Sequence, residues 1–216
     1  MPVCEKESVV EVYSKIANHF SDTRTKQWPW ITDYIKMITT TGDQYPLVLD
    51  IGCGNGRNME GFRRDFVYGI DSCPQFVDIC TERGFNVSVS DMTEIYYPNH
   101  VFDHMLCIAA FHHLSTEERR LKALREMRRV LKEGGTMLLS VWSIKQPPDT
   151  KQSKSITHYG DTMVAWDKFG EKYERYYYIF EVEELKRLFK QTAWTVIHHT
   201  WEYGNEVFIL KKGNAV

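Results

Sequence analysis

The chain has 216 residues, 43% of them hydrophobic and 26% charged, which suits one α/β unit and excludes a disordered or fibrous polypeptide. A formal net charge of −2 excludes a globally basic nucleic-acid binder, so any RNA contact has to come from local basic patches. No apolar run approaches a membrane span and MPVCEKESVV lacks a signal-peptide core, so the expected location is the cytoplasm, or else the nucleus.

The stretch SVVEVYSKIANHF repeats Val9, Val12, Tyr13, Ile16 and Phe20 at helical spacing behind a Ser8 cap. WPWITDYIKMI predicts a second helix that starts at Pro29 and buries Trp30, Ile31, Tyr34, Ile35 and Ile38. PLVLDIG and FVYGID read as strands, PQFVDICTERG as a helix closed by Gly84, and FNVSVSD and FDHMLCIAA as two further strands. TEERRLKALREMRRVLKEGG predicts a long helix with Leu121, Leu124, Met127, Val130 and Leu131 inward, ended by Gly134 and Gly135; TMLLSVW follows as a strand. The polar, proline-containing stretch from Ser143 to about Ala165 reads as a mobile surface loop. EVEELKRLFKQTA is a helix, and WTVIHHTWEY with EVFILKK makes a terminal hairpin around Gly204 and Asn205. Strand and helix alternate, so the sheet is expected to be mostly parallel with helices on both faces. The expected organisation is one unit over 1–216: helices to 45, a cofactor core over 46–142, the loop over 143–165, and a substrate-side helix and hairpin over 166–216.

VLDIGCGNGRNMEG carries the chemistry. Gly52, Gly54 and Gly56 follow a buried strand, let the backbone turn tightly against a ligand, and lead to a helix expected near Arg57. Asp71, about 20 residues on, closes the next strand where a ribose diol is read, and Asp91 follows the third strand within reach of an adenine amino group. Asp50 beside the turn suits a ligand with an ammonium or sulfonium centre better than a pyrophosphate. Three acids on successive strand ends favour S-adenosylmethionine over a dinucleotide. Cys4, Cys53, Cys73, Cys80 and Cys107 contain no CxxC pair and fit reduced thiols, with no metal expected in this chain.

Through VLDIGCGNG, GID, SDM and IAAFHHL the sequence resembles class I S-adenosylmethionine-dependent methyltransferases. Through VYSKIANHFSDTRTKQWPWI, IAAFHHLSTEERRLKALREMRRVLKEGG and YERYYYIFEVEELKRLF it is similar to the tRNA methyltransferases that esterify wobble carboxymethyluridine, relatives of the methyltransferase domain fused to an AlkB-like hydroxylase. The likeness covers nearly the whole chain, but the short 143–165 stretch stands where a long lysine-rich insertion occurs in fungal members.

The resemblance implies a Rossmann-like fold, with a seven-stranded sheet in the order 3-2-1-4-5-7-6 and strand 7 antiparallel. It implies methyl-ester formation on 5-carboxymethyluridine at tRNA position 34. The implied cofactor contacts are Asp50, Gly52, Cys53, Gly54, Asn55, Gly56, Asp71, Ser72, Asp91, Met92, Ile108 and Tyr13. A carboxylate nucleophile is already ionised at neutral pH and needs no base, so the acceptor site calls for a clamp, with Arg24 the first candidate. His112 and His113 follow the fourth strand, one toward the acceptor and the other structural. Lys26 and Trp28 reach substrate phosphate and the cofactor's methionine end, while Trp142 stacks on the base or walls the pocket. Arg175, Tyr176 and Tyr177 meet the anticodon loop, and Tyr178 packs in the core. The basic run Arg119–Lys132 fits either a solvated helix face or a phosphate track. The resemblance further implies a small zinc-binding activator subunit paired with the edge strand Asn86–Ser90. A quinone- or sterol-type small-molecule methyltransferase and an inactive cofactor-binding scaffold are the competing readings.

Overall fold

The computed structural model describes residues 1–40 and 44–213. Winding begins at Val3 after an extended Pro2, and Val3–Glu5, a π-helical segment Lys6–Val10 and α1 (Glu11–Thr23) run on without a break. Ser8 therefore lies inside this helix and does not cap it. α2 (Pro29–Thr39) follows, with Pro29 in its first turn, where a missing N–H costs nothing. Next come β1 (Val48–Ile51), β2 (Val67–Asp71), α3 (Pro74–Glu82), β3 (Asn86–Val89), β4 (Phe102–Ile108), α4 (Glu117–Val130) and β5 (Leu131–Trp142). The last third holds α5 (Lys151–Ser155), β6 (Gly160–Lys168), β7 (Glu171–Ile179), α6 (Val182–Gln191), β8 (Trp194–Glu202) and β9 (Asn205–Lys212).

Seven strands form one sheet in the order β3-β2-β1-β4-β5-β9-β8, and only β9 runs antiparallel to its neighbours. This is the expected order, because β6 and β7 pair with each other as a separate ribbon. Leu124, Met127, Leu188 and Phe189 cover one face, and Ile31, Tyr34, Ile35 and Ile38 the other. Burying each such side chain contributes roughly 1.5–3 kcal/mol. Among the described residues, no helix is long and apolar enough to cross a membrane.

Three local expectations are corrected. After the glycine turn there is no regular helix at Arg57, only turns and the 3-10 segments Met59–Gly61 and Arg64–Phe66. α2 occupies that space: a Cβ on Gly61 would lie 2.7 Å from Ile35 Cδ1. The long helix stops at Val130, and Leu131 already pairs with Phe102, so Gly134 and Gly135 belong to β5. Gly135 is needed there for close approach, since a Cβ would meet the Asp103 carbonyl at 2.6 Å. The 143–165 stretch contains α5 and most of β6, whose Thr162, Val164 and Trp166 are buried while Asp161, Met163, Ala165 and Asp167 are exposed. The terminal hairpin turns on Tyr203 and Gly204, both at positive φ, which makes Asn205 the first residue of β9.

The ribbon leans on the N-terminal helix, where Trp166 packs with Val12 and Ile16. The carboxyl ends of β1, β2, β4 and β5, the ribbon and the N-terminal helix thus surround one region of the molecule.

Candidate active site

Two adjoining clefts occupy this region. The first encloses about 970 Å³, mouth included, within the usual range for small-molecule sites. Its floor is the turn Gly52–Asn55 with the ends of β2 and β4, and its roof is Glu5, Val9, Val10 and Tyr13 of the N-terminal helix. Gly52 has φ +69°, and a Cβ there would lie 2.4 Å from Ala110 Cβ. Gly54, at φ +53°, faces open space, so its backbone is presented to whatever fills the cleft.

Asp71 accepts the Gly54 N–H at 2.9 Å on one oxygen and the Cys73 N–H at 2.8 Å on the other. Burial pushes its carboxyl up to about 6 despite these backbone donors. Asp91 accepts the Thr93 N–H at 2.8 Å and Arg119 Nη2 at 2.6 Å. Burial works to raise its pKa, but the bonds from Arg119 and Thr93 prevail and hold it below the usual carboxylate range. Arg119 Nε also donates to Glu5 at 2.9 Å, and the other Glu5 oxygen accepts the Ser115 N–H and hydroxyl at 2.7 and 2.8 Å. Glu5, 3% exposed, thereby ties the roof to the sheet end.

Glu5 and Arg119 were not legible as site residues, since one stands in a polar leader and the other in the basic run. That run fits neither expected description as a whole. Arg120 lies buried 3.4 Å over the Tyr178 ring, Arg128 donates to the Ala193 and Gly213 carbonyls, Arg129 pairs with Glu126, and Lys132 with Asp103. Lys122 and Arg125 are exposed.

Cys53, Gly54, Asn55, Asp71, Ser72, Asp91, Met92, Ile108 and Tyr13 all line this cleft with Gly52. Asp50 and Gly56 do not. Gly56 packs on Cys80 and Phe85. Asp50 lies fully buried at 0% exposure with neither oxygen hydrogen-bonded, and burial and neighbouring Asp71 push it up to about 7 against the pull of Arg57.

The second cleft, about 1190 Å³ with its mouth, shares Tyr13, Phe20, Arg57 and Ala109 with the first. Arg24, Lys26 and Trp28 line it from one side, Trp142, Arg175 and Tyr177 from the other. Trp142 stacks on Tyr177 at 4.3 Å and 12°. Residues 175 and 177 share a face of β7, so Tyr176 points away and bonds Asp161 at 2.5 Å; it lines neither cleft, contrary to expectation.

The two histidines separate. His113 lines the first cleft; its Nδ1 meets the Tyr176 carbonyl at 2.7 Å and its Nε2 the Tyr13 hydroxyl at 3.2 Å. A carbonyl only accepts, so Nδ1 carries the proton and Tyr13 donates to Nε2. The Tyr13 oxygen then accepts from Tyr177 OH at 3.1 Å and from Arg175 Nη1 at 3.4 Å. Burial drives His113 down to about 3, so the ring is neutral. His112 is 0% exposed, accepts the Trp142 N–H on Nδ1 at 3.0 Å, and lines neither cleft. Burial, His113 and Arg175 lower its pKa as well.

Arg24 is half-buried, with its guanidinium 5.2 Å from the Trp166 ring centre and Nη1 donating to the Thr23 carbonyl at 3.2 Å. Burial, then repulsion from Arg175, lowers its pKa. Arg175 is 4% exposed among the rings of Trp166, Tyr177, Tyr13 and Trp142, at 4.8, 5.3, 5.8 and 5.9 Å. It makes no ion pair among the described residues, and its Nε has no hydrogen-bond partner.

Residues 49–139 match the family model described as a methyltransferase domain. The chain is 32% identical to the tRNA (carboxymethyluridine(34)-5-O)-methyltransferase of Schizosaccharomyces pombe, over 96% of this chain and 97% of that protein. It is 40% identical to the tRNA (carboxymethyluridine(34)-5-O)-methyltransferase alkbh8 of Xenopus tropicalis over 70% of this chain, which spans about a quarter (24%) of that protein. A solved complex of the Haloferax volcanii Trm112 methyltransferase activator with a putative methyltransferase has a similar fold, with TM-score 0.64, 15% identity, and coverage of 96% of this chain and 99% of that one. A full-length relative at this identity, joined to the two-cleft architecture, puts the chain in the tRNA carboxymethyluridine(34) methyltransferase family.

Proposed function

We propose that the protein transfers a methyl group from S-adenosylmethionine to the carboxylate of 5-carboxymethyluridine at the wobble position of tRNA. The observation that carries this reading is the second cleft, which meets the donor cleft at Tyr13 and is walled by aromatic rings and arginines. When bound, the cofactor would supply an electrophilic methyl to the acceptor carboxylate, a transfer that would leave a neutral ester and a thioether and ask no proton movement of this chain's residues.

The first cleft fits that cofactor. Gly52 and Gly54 leave room for close backbone approach, Asp71 keeps lone pairs for ribose hydroxyls, and Met92 and Ile108 offer apolar walls for a base. Glu5, Asp71 and Asp91 favour a cationic ligand. The chain's residues align the reactants and exclude water. No general base is needed, which agrees with two histidines that burial makes weak bases. In this reading His113 fixes the Tyr13 hydroxyl between the clefts, and His112 holds the end of β5 through the Trp142 N–H. Trp142 and Tyr177 offer a stacking surface for the uracil, with Lys26 and Trp28 toward the anticodon backbone.

The reading includes a small zinc-binding activator. β3 is an edge strand with Asn86, Ser88 and Val89 exposed and no proline or lysine to discourage pairing, and Val89 is 51% exposed. A quinone- or sterol-type acceptor finds less support, because an apolar acceptor leaves Arg175 buried without a counter-charge.

Incubation with labelled S-adenosylmethionine and tRNA bearing carboxymethyluridine, with and without an activator, tests the proposal. Alkali-labile label in the tRNA is expected. Alkali-stable label, or none with the activator present, overturns it.

A further inference from the structure

We infer that Arg175, not Arg24, grips the acceptor carboxylate and selects it over neutral uridine side chains. The inference rests on the proposed acceptor chemistry and adds the group that recognises it.

A guanidinium stays charged under all ordinary conditions, and burying it without a partner costs several kcal/mol. Arg175 is nevertheless 4% exposed and, among the described residues, pairs with no carboxylate. Aromatic faces offset part of this cost, since Trp166 lies 4.8 Å away and Tyr177 5.3 Å. They do not satisfy its N–H groups. Among the described residues its one hydrogen bond is the 3.4 Å contact with Tyr13, and Nε has none. A donor fork held on a rigid strand, facing a cleft and lacking an acceptor, suits a planar bidentate anion. Of the two acids of β7, Glu174 is solvent-exposed on the other face, and Glu171, on the same face, is exposed and accepts the Tyr173 hydroxyl at 2.7 Å, so neither pairs with Arg175.

The position agrees. Tyr13 lines both clefts and touches Arg175, so an anion on that fork lies where the clefts meet. Arg24 differs in kind, for it is half-exposed and spends a donor on the Thr23 carbonyl. Its repulsion with Arg175 across Trp166 is relieved by one bound anion. Methyl transfer then removes the charge that Arg175 holds, so the same contact that captures the acid loosens on the ester.

The test measures how free 5-carboxymethyluridine and its neutral 5-carbamoylmethyl analogue compete for methyl transfer to carboxymethyluridine tRNA, with activator present. Cofactor affinity by calorimetry is measured alongside. Wild type is expected to favour the acid by about 100-fold, the scale of a charge-assisted hydrogen-bonded pair. Arg175→Gln is expected to lose that preference and about 1000-fold in kcat/KM, with cofactor affinity within about threefold of wild type. Arg175→Lys, which keeps charge and stem but not the fork, is expected to fold and to retain about a tenth of the preference, and it decides the matter if the glutamine variant does not fold. A full preference in either folded variant overturns the inference, and its loss in Arg24→Gln alone moves the role to Arg24. A wild-type protein that makes no ester overturns the proposed function instead; direct calorimetric titration of the two nucleosides then still reads the acid preference and its dependence on Arg175.

Discussion

The two clefts share Tyr13 but follow opposite electrostatic plans. In the first, each acid already has donors: Asp71 two backbone N–H groups, Asp91 and Glu5 the arms of Arg119. In the second, Arg175 and Arg24 face each other's charge with rings around them and, among the described residues, no acid in the lining. The contrast teaches that one cleft has its charges matched within the chain, while the other, in the proposed reading, is completed by its ligand's charge. Substitutions in the first should therefore disturb fold and donor binding together, and those in the second should spare donor binding.

The largest break is Gly52→Val. With φ +69° and Ala110 Cβ 2.4 Å from the new Cβ position, it is expected to lower donor affinity by more than about 100-fold and to lower the melting temperature, read by calorimetry and thermal melts. Asp71→Ala comes next. Two N–H groups lose their acceptor, and donor affinity is expected to fall about 10- to 100-fold. Trp142→Ala sharpens the contrast from the other side. It removes the ring stacked on Tyr177, raises KM for tRNA about tenfold, and leaves donor affinity unchanged. Glu5→Gln weakens the tie between roof and sheet, and the donor is expected to dissociate about three- to tenfold faster in stopped-flow measurements.

The smallest effect is in pH dependence. Asp50 at about 7 and Asp71 at about 6 hold protons more tightly folded than unfolded, so they make stability fall as pH rises from about 4 toward 7. His113, lowered to about 3, and His112, also lowered, act the other way: the unfolded chain takes up their protons first, and stability falls as pH drops below about 6.5. The contributions oppose each other between about pH 4 and 6.5. Asp50→Asn removes one of them, so its stability is expected to rise more steeply with pH than wild type, by about 1 kcal/mol per unit. Parallel melting curves for the two proteins across that range contradict this.

Most of the main sheet was legible, because its strands are apolar runs bounded by glycine and acid, and the order came with the family likeness. The ribbon was not, although Thr162, Val164 and Trp166 alternate with Asp161, Met163 and Asp167; the polar, proline-bearing stretch before them masked a period of two. Gly135 looked like a helix stop because close backbone approach leaves no mark in sequence other than the glycine itself. In the site, the glycine turn and Asp71 were readable as a local motif. Glu5 and Arg119 were not, since their meaning comes from a contact spanning 114 positions. His112 and His113 are adjacent in sequence, and only the 3-10 turn Phe111–His113 shows which ring turns toward the cleft.

Tyr13 meets Arg175 and Tyr177 across 162 and 164 positions of chain. Long loops of this kind close slowly, and during synthesis the C-terminal partner does not yet exist when the N-terminal one emerges. Every residue singled out above in the donor cleft precedes Leu131, whereas the acceptor cleft waits for β7 and for the turn at Tyr203. A nascent chain thus presents the residues of its first cleft before β7 exists to complete the second.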